Sequence, residues 1–418
     1  MQYKISFGQK LALAFGLTFA LFIGSDVIAD ACTSFCVRNG ERVVVGKNYD
    51  WNIGDGLVMT NKRGMSKTSA IEAKNNPAAW VSRFGSLTFN QYGRDNPTGG
   101  VNEAGLVVEL MWLDEARYPP PNGQPTLGVL EWIQYQLDNF ATVAEVVDNG
   151  AALRINSSIK LHYLVCDRLG DCASIEFLNG NFVPHTGPAM PAQTLTNDTY
   201  QSSLAYLSSF LGFGGNRALP NSSSSLDRFV RASALNKQFA ETGNPADAIT
   251  HAFATLKNVA QGSHTQWNIV YDLNAMRVHF RTRANDNIKF IDMAALNWAC
   301  ESPVQVLTID HPTPGDIAPS LKAYSYEANR DLIGRSYKGT SFLAAVPASE
   351  MDVDARYPEK ATCVGDAAIA TRPAPAPKAS PAPAAPAALP EPVLIVLGIG
   401  GLGLLGLVGW KVLNRMVQ

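Results

Sequence analysis

The chain lacks a basic excess: 34 Lys and Arg stand against 36 Asp and Glu among 418 residues, a net charge of −2. Neutralising a phosphate backbone calls for surplus cations, so nucleic acid is excluded as a partner. There is no Gly-rich phosphate loop, no Walker-like sequence and no fixed-period repeat, which removes the phosphate-loop nucleotide enzymes and the solenoids. Cysteine is sparse, with 6 in all, and none form a Cys-x-x-Cys pair. Cys32 and Cys36 are four apart with no nearby His, a weak zinc pattern and the wrong spacing for a dithiol oxidoreductase. Long apolar runs are missing everywhere except at the two ends.

What is present at those ends says where the protein resides. Lys4 and Lys10 precede the apolar run Leu11 to Ile23, followed by Ala29-Asp30-Ala31. That is the order of a secretory signal peptide over residues 1–31, with cleavage before Cys32. The run is too short to cross ~30 Å of hydrocarbon. A lipidated Cys32 is disfavoured because Ala29 stands where lipoprotein signals carry Leu. Val393 to Trp410 is uncharged, rich in Leu and Gly, and just long enough to span a bilayer, with Lys411 and Arg415 behind it in a short tail, 411–418. Residues 366–392 are dominated by Ala and Pro and read as an extended spacer. Pro390-Glu391-Pro392 before the apolar run also resembles the Pro-Glu-Pro sorting tails of some exported Gram-negative proteins. The expectation is an extracytoplasmic domain over 32–365, matured by signal peptidase and tethered to the membrane by its C-terminal segment.

The remaining cysteines fit an oxidising compartment. Cys166 and Cys172 flank a hairpin turn and can pair locally, and Cys300 and Cys363 can staple a C-terminal extension over about 297–365. The mature start, CTSFCVRNGERVVVGKNYDW, reads as a hairpin about Asn39-Gly40. Further hairpins are expected over Pro97 to Leu113 and Leu161 to Phe182, with more strands from Gln266 to Ile291. Helical spacing covers Leu127 to Asn149, and Asp227 to Ala254 with a break near Gly243-Asn244-Pro245. Strands at both ends and helices between imply an α+β fold with largely antiparallel sheets.

Cleavage before Cys32 would make nucleophile and base on one residue, because a free α-amine, with a pKa of about 8, is partly neutral at physiological pH. From here the sequence resembles the choloylglycine hydrolase family of N-terminal-nucleophile amidases, over about Cys32 to Leu296. The carrying segments are CTSF at Cys32, GKNYDW over Gly46 to Trp51, GVNEAGL over Gly100 to Leu106, LTND over Leu195 to Asp198 and DRFVRA over Asp227 to Ala232. The resemblance implies an αββα four-layer sandwich and hydrolysis of a linear C–N amide bond without metal or organic cofactor. It implies that Cys32 attacks the carbonyl, Asp50 orients the amine, Asn197 donates to the oxyanion and Arg228 favours the thiolate. Trp51, Trp112 and Lys47 are expected at the substrate or oxyanion, the Trp112 indole N–H as a donor. Asn197 also lies in an Asn-Asp-Thr glycosylation sequon, read as accidental.

Several positions depart from the family pattern. Lys47 stands where many members have Arg, Thr199 where a Pro is common, Asn221 where Gly usually follows Leu-Pro, and Cys36 is not a usual feature. Cys36 shares a strand face with Cys32 at about 13 Å if extended, too far to pair, so it is expected to be buried or paired elsewhere. The substrates expected are small N-acyl amides, penicillin V-like or N-acyl homoserine lactones. Conjugated bile salts rank lower because Trp112 suits a flat or linear acyl group. A non-catalytic tethered binding protein on the same fold is the alternative of another class, and a homo-oligomer is left open.

Overall fold

The computed structural model describes residues 32–370. The expected signal peptide, most of the Ala/Pro spacer, the C-terminal apolar segment and the basic tail lie outside the described residues. Among the described residues no helix is long and apolar enough to cross a membrane.

Two sheets face each other. The first has seven strands, and at its centre run Thr33–Asn39, Arg42–Asp50, Thr265–Asp272 and Arg277–Thr282, all antiparallel neighbours. The second has nine, with Cys172–Leu178, Leu161–Cys166, Val107–Trp112, Gly99–Asn102, Ser86–Asn90 and Leu57–Asn61 in spatial order. Side chains alternate along the first two strands, as the pleat requires. Phe35, Val37 and Val44 pack against the helices Ser225–Thr242 and Ala248–Asn258 through Ala232, Phe239, Ala252 and Leu256. Val43, Val45 and Tyr49 face the other sheet, where Phe89 and Met111 belong to the same core. Helix Val129–Asn139 covers the far side of the second sheet. The order helices, sheet, sheet, helices is the four-layer αββα architecture expected.

Two glycines make the first hairpin possible. Gly40 takes φ 59° as the first residue of a two-residue loop between paired Asn39 and Arg42. Gly46 lies opposite Phe35, and a Cβ there would approach the ring to 2.5 Å.

The helix expected over Leu127 to Asn149 is instead two, Val129–Asn139 and Val143–Asn149. No Pro or Gly breaks it. Thr142 accepts a hydrogen bond from the Glu145 N–H while the Glu145 side chain reaches back to the Thr142 N–H, and this capping box restarts the helix. Past the Leu161 to Phe182 hairpin a further strand, Asn181–Thr186, forms the sheet edge. The spacer assigned from residue 366 begins with a helical turn, Asp366–Ala370, whose Asp366 pairs with Arg63.

Both expected disulfides are present, Cys166–Cys172 and Cys300–Cys363. Cys36 is buried and free. Its sulfur and those of Cys166 and Cys172 all lie within 4.8 Å of one another, although Cys36 belongs to the first sheet and the other two to the second.

Candidate active site

Cys32 stands just ahead of strand Thr33–Asn39 of the first sheet. On an even position it faces the space between the sheets, where it forms part of the wall of a cavity of about 300 Å³. Asp50, Trp51 and Trp112 line the same cavity. The backbone carbonyl of Asp50 is 3.9 Å from the Cys32 Sγ, because Asp50 ends the strand paired with the one Cys32 leads.

Arg228 is completely buried and ties the remaining residues to Cys32. It lies in the second turn of helix Ser225–Thr242, whose start is fixed by Ser224 accepting from the Asp227 N–H. Its Nη1 donates to the Cys32 carbonyl at 2.8 Å and to Thr33 Oγ1, its Nη2 to Asn197 Oδ1 at 2.9 Å, and its Nε to the Ser223 carbonyl at 3.1 Å. Asn197 is held further by its own N–H donating to Ser225 Oγ and by Nδ2 donating to the Trp112 carbonyl at 2.9 Å. Neither Arg228 nor Asn197 lines the cavity, so both reach Cys32 through this hydrogen-bond frame.

The Asp50 carboxyl is buried and accepts from Thr265 Oγ1 and from Gln261 Nε2 at 3.2 Å. Burial raises it above the usual carboxylate range, with Arg228, Thr265 and Lys47 opposing. Burial also raises the Cys32 thiol. Lys47 and Arg228 pull it down, and Asp50 adds to the rise. Arg228 itself is lowered by burial, against the stabilising charge of Asp50 and Cys32. Burial and positive charge thus act on the same thiol in opposite directions.

Two expected roles are corrected by the geometry. Lys47 does not line the cavity. It lies on the inward face of its strand, fully buried, and donates to the Leu110 carbonyl with Glu109 Oε2 3.8 Å away. An ammonium between two sheets must find acceptors there, so Lys47 acts on Cys32 as a charge and touches no substrate space. The Trp112 indole N–H donates to Asp114 Oδ1 at 2.9 Å, so the ring lines the cavity while the Trp112 backbone carbonyl serves Asn197. Trp51 gives the converse case: its Nε1 is buried without a hydrogen-bond partner among the described residues.

A family model for linear amide C–N hydrolases, the choloylglycine hydrolase family, matches residues 32–306. The chain belongs to this family. It is therefore a hydrolase of linear amide bonds, similar to penicillin V acylases. The penicillin V acylase of Pectobacterium atrosepticum is 29% identical over 331 residues, covering 67% of this chain and 85% of that protein. The solved penicillin V acylase of Agrobacterium tumefaciens is 31% identical with a TM-score of 0.64, over 70% of this chain and 98% of that one. A conjugated bile acid hydrolase from Clostridium perfringens, 18% identical over 68% of this chain and 98% of that one, shares the fold at a TM-score of 0.57.

Four participants escaped sequence reasoning. Gln261 precedes strand Thr265–Asp272 and Thr265 opens it; both are ordinary polar residues that only folding brings to Asp50. Glu109 and Ser225 likewise carried no local signal. The end of helix Tyr326–Gly339 and the turn after it were also missed, where Tyr337, Phe342 and Leu343 join the cavity wall beyond the family match.

Proposed function

We propose that the protein is an exported cysteine amidase in which signal cleavage after Ala31 creates the catalytic group. The freed α-amine of Cys32 takes the thiol proton as Sγ attacks the carbonyl carbon of an N-acyl amide. It then returns the proton to the leaving nitrogen as the C–N bond breaks, and a thioester remains on Cys32. The same amine then deprotonates water, which attacks the thioester, releasing the acid and restoring the thiol. Asp50 orients the amine, and Asn197, held beside Cys32 by Arg228, turns its Nδ2 from the Trp112 carbonyl toward the oxyanion, a donor worth about 3–4 kcal/mol. The C-terminal segment keeps the enzyme at the membrane on its extracytoplasmic side.

The observation that carries this reading is the Cys32 thiol at the wall of a largely apolar cavity, with Arg228 bonded to both its carbonyl and Asn197. An unpartnered buried donor costs about 1–3 kcal/mol, and an acceptor on a bound amide would satisfy Trp51 Nε1. Penicillin V-like amides and N-acyl homoserine lactones are the substrates proposed. The test is the mass of the mature N-terminus together with hydrolysis of penicillin V, acyl-homoserine lactones and glycocholate. A free N-terminal Cys32, with activity lost in Cys32→Ser and kept in Cys36→Ser, is expected. An acylated Cys32, or full turnover by Cys32→Ser, overturns the mechanism.

A further inference from the structure

We infer that the C-terminal extension is the acyl-length gauge of the enzyme: Phe342 and Leu343, with Tyr337 beside them, form the wall against which the distal part of the substrate's acyl chain packs. The inference rests on the amidase reading of the Cys32 cavity. Three observations carry it.

The first is position. The family match ends at residue 306, yet Tyr337, Phe342 and Leu343 line the same cavity as Cys32. The second is surface chemistry. Phe342 lines the cavity while leaving 51% of its surface to solvent, so this wall stands where the cavity meets water. A large apolar ring left there gains by being covered, at roughly 25 cal/mol per Å². Ile71, Leu130 and Ile159 belong to the lining of the same cavity. Among the described residues the cavity wall carries no Lys, Arg or His, while Asp50, Glu131 and Asp354 do belong to it. An anionic amine half gains no partner inside such a wall, whereas an uncharged acyl chain does.

The third observation is rigidity. The extension is fastened to the family fold at many points. Asn329 Oδ1 accepts from the Arg94 N–H at 2.8 Å, and Tyr92 OH and Thr340 Oγ1 are 3.0 Å apart. Tyr357 OH donates to Glu131 Oε1 at 2.7 Å, and Arg335 Nε to Asp55 at 2.6 Å. Tyr337 OH donates to Asp354 Oδ2 at 2.8 Å, tying the two helices Tyr326–Gly339 and Ala348–Arg356 across the turn that holds Phe342. A wall anchored in this way sets a fixed limit on chain length.

The test measures kcat/KM of the full-length protein on straight-chain N-acyl homoserine lactones of graded length, for wild type, Phe342→Ala and Leu343→Trp. Filling the wall with Trp is expected to lower the long-to-short ratio about tenfold or more, and opening it at Phe342 to shift the optimum toward longer chains, in line with the ~10–200-fold that one methylene commands in a fitted pocket. The same ratio in all three proteins overturns the gauge. Binding of the lactone series to Cys32→Ala, read by tryptophan fluorescence, separates the two hypotheses. Length-dependent binding that moves with residues 342 and 343 keeps the gauge even if no amide is turned over. Turnover with an unchanged length profile keeps the amidase and removes the gauge.

Discussion

Arg228 illustrates how far one residue can be read from a sequence and where reading stops. Its position in DRFVRA, on a helix after the Asn197 segment, marked it as a charge near the nucleophile. Its geometry adds that one guanidinium serves four acceptors, on Cys32, Thr33, Asn197 and Ser223. A planar fork reaches several fixed acceptors at once and an ammonium does not. Arg228→Lys is therefore expected to lower kcat at least ~10-fold, with KM much less affected, and to cost about 1–3 kcal/mol in unfolding free energy from the buried acceptors left unpaired. Steady-state kinetics and denaturant unfolding check both. The same limit explains Lys47. A lysine beside a nucleophile looks like a substrate contact in sequence, and only the sheet facing it shows the Leu110 carbonyl and Glu109 waiting for its ammonium.

At the scale of elements, the strands were legible because their alternation records which face is buried. The final strands carry it, with Arg277–Thr282 buried at every second residue, whereas the N-terminal and 161–178 hairpins are buried on both faces and were legible from apolar and β-branched runs about a turn. The break at Thr142 was not legible, since a capping box inside a helical run is a contest between two local bonding patterns. Nor did pattern reveal the polar interior between sheets, where strand Val107–Trp112 places Glu109 against Lys47 and under the Tyr271 hydroxyl. Burial pushes the Glu109 carboxyl up to about 7, with Lys47 and Tyr271 opposing. A carboxyl raised on folding binds more protons in the native state, so stability is lost as pH rises from about 4.5 through 7. From the size of that rise, Glu109→Gln is expected to gain on wild type by up to about 3 kcal/mol between pH 4.5 and 8, while differing little from it at the acid end. Urea unfolding of both proteins across that range decides it; parallel stability curves would place the titration elsewhere.

For the whole molecule, the family resemblance supplied the four-layer order but ended before the extension that completes the cavity. The extension and its Cys300–Cys363 staple were legible in the sequence, but its docking against the cavity was not, because that depends on side chains scattered over the fold, such as Arg94, Asp55 and Glu131. The Cys300–Cys363 disulfide closes a loop over a sequence separation of 63, for which chain-entropy arguments give about 4 kcal/mol. Cys300→Ser with Cys363→Ser is expected to lower stability by about 2–4 kcal/mol and, because Tyr357 and Asn329 still anchor the segment, to leave hydrolysis measurable. Thermal melts paired with assays test this. The other sulfurs bear on how the chain reaches its native state. Cys36, Cys166 and Cys172 converge in the finished core, so oxidation must choose one of three pairings, two of which would rivet one sheet to the other. Once folded, burial and the nearby Asp167 push the Cys36 thiol up to about 12, leaving almost no thiolate to exchange. Exchange inside the folded core is thus suppressed, and the Cys166–Cys172 bond is the one pairing of the three that leaves the two sheets unlinked.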